Sequence, residues 1–306
     1  MSAIGRPVRI VSFSFKGKSL AEIVGVVDQE GARGADLVAL PETWQGQGDN
    51  PESGDGPTIA AMSALARKHR TYIVCPLDRM DGERRLNSAV LLDRDGRTVG
   101  IYDKVYPYWS EFDLEPAVAI GGEIPVYQAD FGRVGLAICF DVNFPDVWKR
   151  LADQSAEIVI WPSAYSAGTT LQAHALMNHF YIVSSTQDGD CIVYDITGEQ
   201  MLYERNDGIN ISRVTLDLDR GIYHENFNIE KRDRLLKERG QDVIQESHLW
   251  REQWFVLKAK RPNVSARELA REYGLEELRD YVNRSRREID DLRARQVGEK
   301  AAANGG

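Results

Sequence analysis

The chain reads as an α/β fold in which mixed sheets are flanked by helices, and three observations predict it. Short apolar runs bounded by turn residues alternate with segments of helical periodicity. Two hairpin signals interrupt the alternation, so the sheets must hold antiparallel as well as parallel strands. A composition of 42% hydrophobic and 28% charged residues over 306 positions suits a soluble globular protein with one large core or two modest ones.

Residues 8–15 form an apolar run that reads as a strand. Residues 19–31 carry Leu20, Ile23, Val24 and Val27 at helical spacing, and Gly31 and Gly34 stop the pattern. Residues 36–40 (DLVAL) are continuously apolar, as in a strand buried on both faces. A helix over 57–70 and a strand over 71–77 follow. Residues 87–92, the turn Asp93-Arg94-Asp95-Gly96 and residues 98–102 make the first hairpin signal. Residues 124–131, a turn at Gly132 and residues 134–140 make the second. Then come a helix over 145–156, a strand over 157–161, a helix over 172–179, and strands over 181–185, 191–195 and 214–218. Strand signals stop after about residue 225. Ser265 and Glu268 are spaced as a capping box, and a further helix is predicted over 275–295 after Gly274. The last six residues, AAANGG, are expected to be disordered. The division expected is a catalytic domain over 1–225 and a helical extension over 226–306. That extension would dock on the catalytic domain or on a neighbouring subunit.

Composition also narrows the function classes. Asp and Glu number 47 against 38 Lys and Arg, a net charge of -9 that repels polyphosphate, so no nucleic-acid partner is expected. No window reaches the ~18–20 apolar residues of a membrane span, and the N-terminus makes a poor signal-peptide core. Cys75, Cys139 and Cys191 are odd in number and widely spaced, against both a disulfide framework and a zinc site. The histidines show no metal spacing either, His174 and His179 being five apart. A reducing, cytoplasmic setting is the expectation. The glycines at 46, 48, 54 and 56 follow no phosphate-binding pattern, and their loop, with Trp44 at its base, is expected to rim a cleft.

Three reactive residues each follow a buried-looking strand, where ligands meet the chain in open α/β sheets. Glu42 comes after the run ending Leu40-Pro41, and a carboxylate among apolar groups suits a proton shuttle. Lys104 follows Tyr102-Asp103, where an ammonium can meet a developing oxyanion. Cys139 ends Gly135-Leu136-Ala137-Ile138 and needs a partner to take its proton. Taken singly, a loop glutamate, a solvated lysine and a core cysteine are the ordinary readings.

Together the motifs LPETW, YDKVYP and ICFDVNFP, in this order, resemble the nitrilase superfamily of carbon–nitrogen hydrolases. Supporting matches lie in EIVIWPSAY and LQAHALMNHFYIVSS, so the likeness runs over about residues 8–218. The resemblance implies a four-layer αββα sandwich, no metal or organic cofactor, and Glu42, Lys104 and Cys139 as the catalytic set. It implies a second carboxylate at Glu111, with Glu115 as the rival position, and a homodimer or higher homo-oligomer. The chemistry implied is ping-pong acyl transfer through a cysteine thioester, with the Lys104 ammonium and the Phe140 backbone N–H as oxyanion donors.

Phe140-Asp141 replaces the Trp-Glu usual after the cysteine in nitrile-hydrolysing members, and no arginine stands where N-carbamoyl hydrolases carry one. Asn143 and Pro145 match the aliphatic amidase pattern, so a small-molecule amide is the favoured substrate. N-carbamoyl hydrolysis, nitrile hydrolysis and acyl transfer use the same intermediate and stay as alternatives; a degenerate binding protein is the non-enzyme one. Trp44, Tyr108, Trp109, Asn143, Trp161 and Tyr165 lie near the motifs as candidate substrate contacts.

Overall fold

The computed structural model describes residues 3–48 and 51–304, with side chains as far as residue 296. It divides into two compact units, Pro7–Leu218 and the part from Asp219 onward with residues 3–6. The first unit runs β1 (Pro7–Ser14), α1 (Leu20–Gly31), β2 (Leu37–Ala39), β3 (Glu52–Ser53), α2 (Pro57–His69), β4 (Tyr72–Asp81), β5 (Arg84–Leu92) and β6 (Thr98–Asp103). It continues with β7 (Val126–Gln128), β8 (Arg133–Leu136), α3 (Pro145–Asp153), β9 (Ile158–Ser163), α4 (Thr169–Asn178), β10 (Tyr181–Thr186), β11 (Asp190–Tyr194), β12 (Gln200–Arg205) and β13 (Asn210–Asp217).

One sheet has the order β13-β1-β2-β4-β5-β6, with β3 beside β4, and the other has the order β12-β11-β10-β9-β8-β7. Parallel pairs at the centre of each (β1–β2, β2–β4, β8–β9, β9–β10) give way to antiparallel pairs outward. Strand β1 shows how the layers stack. Val11 and Phe13 join the apolar core that includes Ile23 and Val27 of α1 and Met62 and Leu65 of α2. The alternate residues Ser12 and Ser14 point at the other sheet, donating to the Ser184 and Asp190 carbonyls at 2.6 Å each. Small hydroxyl side chains let two sheets approach while satisfying buried backbone acceptors. With α3 and α4 outside the second sheet, where Trp148 stacks on His174 at 4.4 Å, the expected αββα sandwich is complete.

Helix α1 begins as its sequence dictates: the Ser19 side chain accepts from the Glu22 amide, and Glu22 accepts from the Ser19 amide. Two expectations need correction in this unit. The strand expected over 134–140 ends at Leu136, and Cys139–Asn143 is a 3₁₀ turn instead. Strand β12 went unseen because it is a sheet edge with no buried side, so Gln200–Arg205 lacks apolar alternation.

The second unit holds β14 (Gly221–His224), α5 (Ile229–Arg239), β15 (Val243–Leu249), β16 (Trp254–Ala259), α6 (Ala266–Glu272) and α7 (Leu278–Asn304). The helices expected in this extension are present, with Ser265 capping α6 by accepting from the Glu268 amide. The expectation that strands stop near residue 225 is corrected by an antiparallel sheet of order β14-β16-β15. Strand β15 alternates in burial through polar residues such as Gln245, Glu246 and His248, which hides its period. Gly221–His224 pairs with Trp254–Leu257 within the second compact unit, which begins at Asp219. Leu235, Phe255, Leu257, Leu269 and Leu275 form this unit's core. Along the predicted C-terminal stripe Leu269 and Leu278 are buried, whereas Val282, Ile289 and Leu292 are exposed. Helix α7 continues to Asn304, where disorder was expected from residue 301; Gly305 and Gly306 lie outside the described residues.

Candidate active site

Glu42, Lys104, Glu111 and Cys139 converge where strands of the two sheets end. Glu42 lies just past β2, Lys104 directly past β6, and Cys139 past β8; Glu111 sits in a 3₁₀ turn, Trp109–Asp113. All four are nearly or fully buried. The Lys104 Nζ lies 2.8 Å from Glu42 Oε1 and 2.7 Å from Glu111 Oε2. The sequence left Glu111 and Glu115 as rivals; Glu115 is exposed, and it is Glu111 that pairs with Lys104.

Counting donors separates the two carboxylates. Glu111 Oε1 accepts from Asn87 Nδ2 (2.8 Å) and Gln47 Nε2 (2.8 Å), and Oε2 accepts from Lys104 and the Tyr108 amide (2.7 Å). A carboxylate offers about four lone-pair sites, so Glu111 is saturated and acts as a fixed anion. Burial pushes its acidity toward the neutral form, but Lys104 and these donors outweigh it and hold the carboxyl below its ordinary range. Glu42 accepts from Lys104 and Asn87 (2.7 Å) on Oε1, but on Oε2 only from the Ala164 amide (2.7 Å). That oxygen keeps a lone pair. The Glu42 backbone is held as well, its carbonyl accepting from Gln187 Nε2 at 2.7 Å.

The lysine is poised in the same way. Burial alone would discharge it, but Glu42, Cys139 and Glu111 together raise its pKa, so it stays an ammonium. Two of its three N–H bonds serve the carboxylates, leaving one for an incoming oxygen.

Cys139 has φ +46°, a left-handed conformation that costs a non-glycine residue about 1 kcal/mol or more. The indole N–H of Trp161 donates to the Cys139 carbonyl at 3.1 Å and helps hold the turn. Burial and the neighbouring Glu42 push the thiol pKa well up, against Lys104, Ala164 N–H and Ser163, so the sulfur rests protonated. The Ala164 amide thus serves both the thiol and Glu42 Oε2, which sets the Glu42 carboxylate and the Cys139 thiol side by side. Cys75 and Cys191 are buried in the cores, with burial pushing both up to about 12. The Phe140 N–H stands at the start of the 3₁₀ turn, where amides lack a carbonyl from the preceding turn.

The aromatic candidates divide. Tyr108 is exposed, with its ring edge-on to Phe140 at 5.3 Å, and Tyr165 meets Trp161 edge-on at 5.7 Å, with burial raising its phenol pKa. Trp109 is 76% exposed on the Glu111 turn. Asn143 Nδ2 donates to the Phe140 carbonyl at 3.2 Å. Trp161, expected as a substrate contact, is fully buried and donates to the Cys139 carbonyl, so it braces the cysteine turn. Trp44 packs edge-on to Phe15 at 5.7 Å in the core, with part of its surface on a cavity of about 640 Å³. Thr43, Gln47, Ala164 and Gln187 line the same cavity; Ala164 and Gln187 hydrogen-bond Glu42 and Gln47 hydrogen-bonds Glu111, whereas none of the four reactive residues lines it. The loop expected to rim a cleft does so through Gln45–Gln47; residues 49 and 50 lie outside the described residues. Asn87, Gln47, Ala164 and Gln187 carried no sequence signal, since each is a common residue type that becomes functional only by juxtaposition.

Comparison with known proteins agrees with this geometry. The carbon-nitrogen hydrolase family model matches residues 16–221. Deaminated glutathione amidase of Synechocystis sp. is 29% identical over 203 residues, 56% of this chain and 72% of that protein. Citrullinase of Francisella tularensis is 23% identical over 255 residues, 69% and 88% of the two chains. An amidase structure from Nesterenkonia sp. superposes with a TM-score of 0.61 at 22% identity, covering 70% of this chain and 92% of that one. The chain belongs to the carbon–nitrogen hydrolase family.

Proposed function

We propose that the protein hydrolyses the carbon–nitrogen bond of a small linear amide through a thioester on Cys139, releasing ammonia or an amine. The observation that carries this is the buried Lys104 ammonium, clamped between Glu42 and Glu111 beside a protonated thiol. Glu42 Oε2 takes the thiol proton as Sγ bonds the carbonyl carbon. The developing oxyanion meets the remaining Lys104 N–H and the Phe140 amide, donors of a kind worth about 2.7–4 kcal/mol in the barrier. Collapse breaks the C–N bond, and Glu42 returns the proton to the departing nitrogen. Water then gives a proton to Glu42 and attacks the thioester, and Cys139 leaves and is reprotonated.

Phe140-Asp141 after the cysteine favours an amide over a nitrile. The likeness to citrullinase keeps carbamoyl compounds as the second reading. Three free cysteines fit a reducing, cytoplasmic setting. The exposed apolar residues of α7 support a homo-oligomer.

The test is ammonia release from one acyl group offered as amide, nitrile and carbamoyl derivative. The amide should have the highest kcat/KM, and Glu42→Gln should lower it at least ~100-fold. A preference for the nitrile, or a folded Glu42→Gln enzyme at full rate, overturns the reading.

A further inference from the structure

The Asp141 carboxylate is fully buried and touches both halves of the site. Its Oδ2 accepts from the Ile138 amide (2.8 Å), the residue before the nucleophile, and from the Tyr102 hydroxyl (2.7 Å). Its Oδ1 accepts from the Tyr106 amide (3.0 Å). Tyr102 and Tyr106 bracket Lys104 on either side, so one carboxylate ties the lysine segment, at the edge of the first sheet, to the cysteine turn of the second. The turn's outer side is clamped independently: Trp148 Nε1 donates to the Asp141 carbonyl at 3.1 Å, and His174, stacked on Trp148, bonds the Val142 carbonyl at 2.8 Å.

We infer that Asp141 is a positioning residue that sets the Cys139 thiol against the Lys104 ammonium by bridging Ile138 to Tyr102 and Tyr106. This rests on Cys139 being the nucleophile and Lys104 the oxyanion donor. The left-handed Cys139 is a strained conformer that persists only when its surroundings over-determine it, and Asp141 supplies the inner constraint. Three donors aimed at two oxygens require an acceptor-only group. An amide turns a donor toward a donor and releases at least one of the three, and a protonated carboxyl keeps all three contacts only if the Tyr102 hydroxyl reverses to accept. Burial pushes the Asp141 pKa up to about 6, against the Ile138 and Tyr106 amides, the Tyr102 hydroxyl and Lys104. The bridge is therefore ionised at neutral pH, and its Tyr102 bond must reverse or break as pH falls through about 6. For folding the sign is opposite: a raised carboxyl pKa favours the fold below the unfolded value near 3.8, and that contribution is lost as pH rises through about 6. The ionised bridge thus costs stability at the pH where it serves the reaction.

The test compares wild type with Asp141→Asn and with Tyr102→Phe, which removes a single donor and keeps the carboxylate. Each variant is measured for kcat, KM and the rate of Cys139 alkylation by iodoacetamide from pH 5 to 8. Displacing a reacting atom by about 1 Å costs up to ~100-fold. Asp141→Asn should lower kcat about 10- to 100-fold, change KM less than about 3-fold and slow alkylation. Wild-type alkylation should fall below pH about 6, a step the Asn variant lacks. Tyr102→Phe should show a smaller loss of the same kind. A folded variant of either type with unchanged kcat and alkylation rate overturns the inference, as does a loss confined to KM. Cys139→Ala, run alongside, checks the underlying reading separately, because only failure of that reading leaves it active.

Discussion

Replacing Asn87 by Ala probes the buried charge cluster most directly. Asn87 Nδ2 donates to Glu42 Oε1 at 2.7 Å and to Glu111 Oε1 at 2.8 Å, and the residue is fully buried. Carboxylates only accept, so the amide must present its nitrogen, which leaves Asn87 Oδ1 without a partner among the described residues. Hydrogen bonds to charged groups contribute about 1.5–3 kcal/mol each, so losing both costs about 3–6 kcal/mol. For a unit of roughly 200 residues each kcal/mol moves Tm about 2–4 °C, which predicts a fall of about 6–24 °C. With Glu42 less firmly placed, kcat should drop about 100-fold, the scale of a lost acid–base group. Asn87→Asp keeps the shape but sets a third carboxylate at the same distances. At an effective dielectric of about 20, two charges 2.8 Å apart repel by about 6 kcal/mol. The Asp variant should therefore be less active than the Ala variant at pH 8, and the gap should narrow as pH falls and the new group takes up a proton. Differential scanning calorimetry and ammonia release measure the two effects. An Ala variant with wild-type Tm and kcat, or an Asp variant more active than the Ala variant at pH 8, would refute the electrostatic reasoning.

Limited iodoacetamide followed by peptide mapping should label Cys139, which is 6% exposed, before Cys75 or Cys191, both fully buried; early labelling of Cys75 with loss of activity would move the nucleophile there. Exchanging Ile289 and Leu292 together for Glu places charge on the exposed α7 stripe and should lower the light-scattering mass toward that of one chain; an unchanged mass would mean the stripe is no interface.

The sequence by itself determined the α/β class, most element positions, and three candidate reactive residues, Glu42, Lys104 and Cys139, leaving Glu111 and Glu115 as rivals. Those signals are local: a period of two or near four, a serine before a helix, a short motif after an apolar run. Where burial leaves no local pattern the reading failed, as at edge strand β12 and at the polar strand β15 of the C-terminal sheet. Tertiary structure alone decided which carboxylate keeps a free lone pair. That choice depends on the Ala164 amide reaching Glu42 across 122 positions of chain and on Asn87 and Gln47 filling the lone pairs of Glu111. It likewise made Trp161 a brace for the cysteine turn and Asp141 a tie between two sheets. Hydrogen bonds at such separations are fixed by how sheets and loops meet, and no spacing along the chain records them.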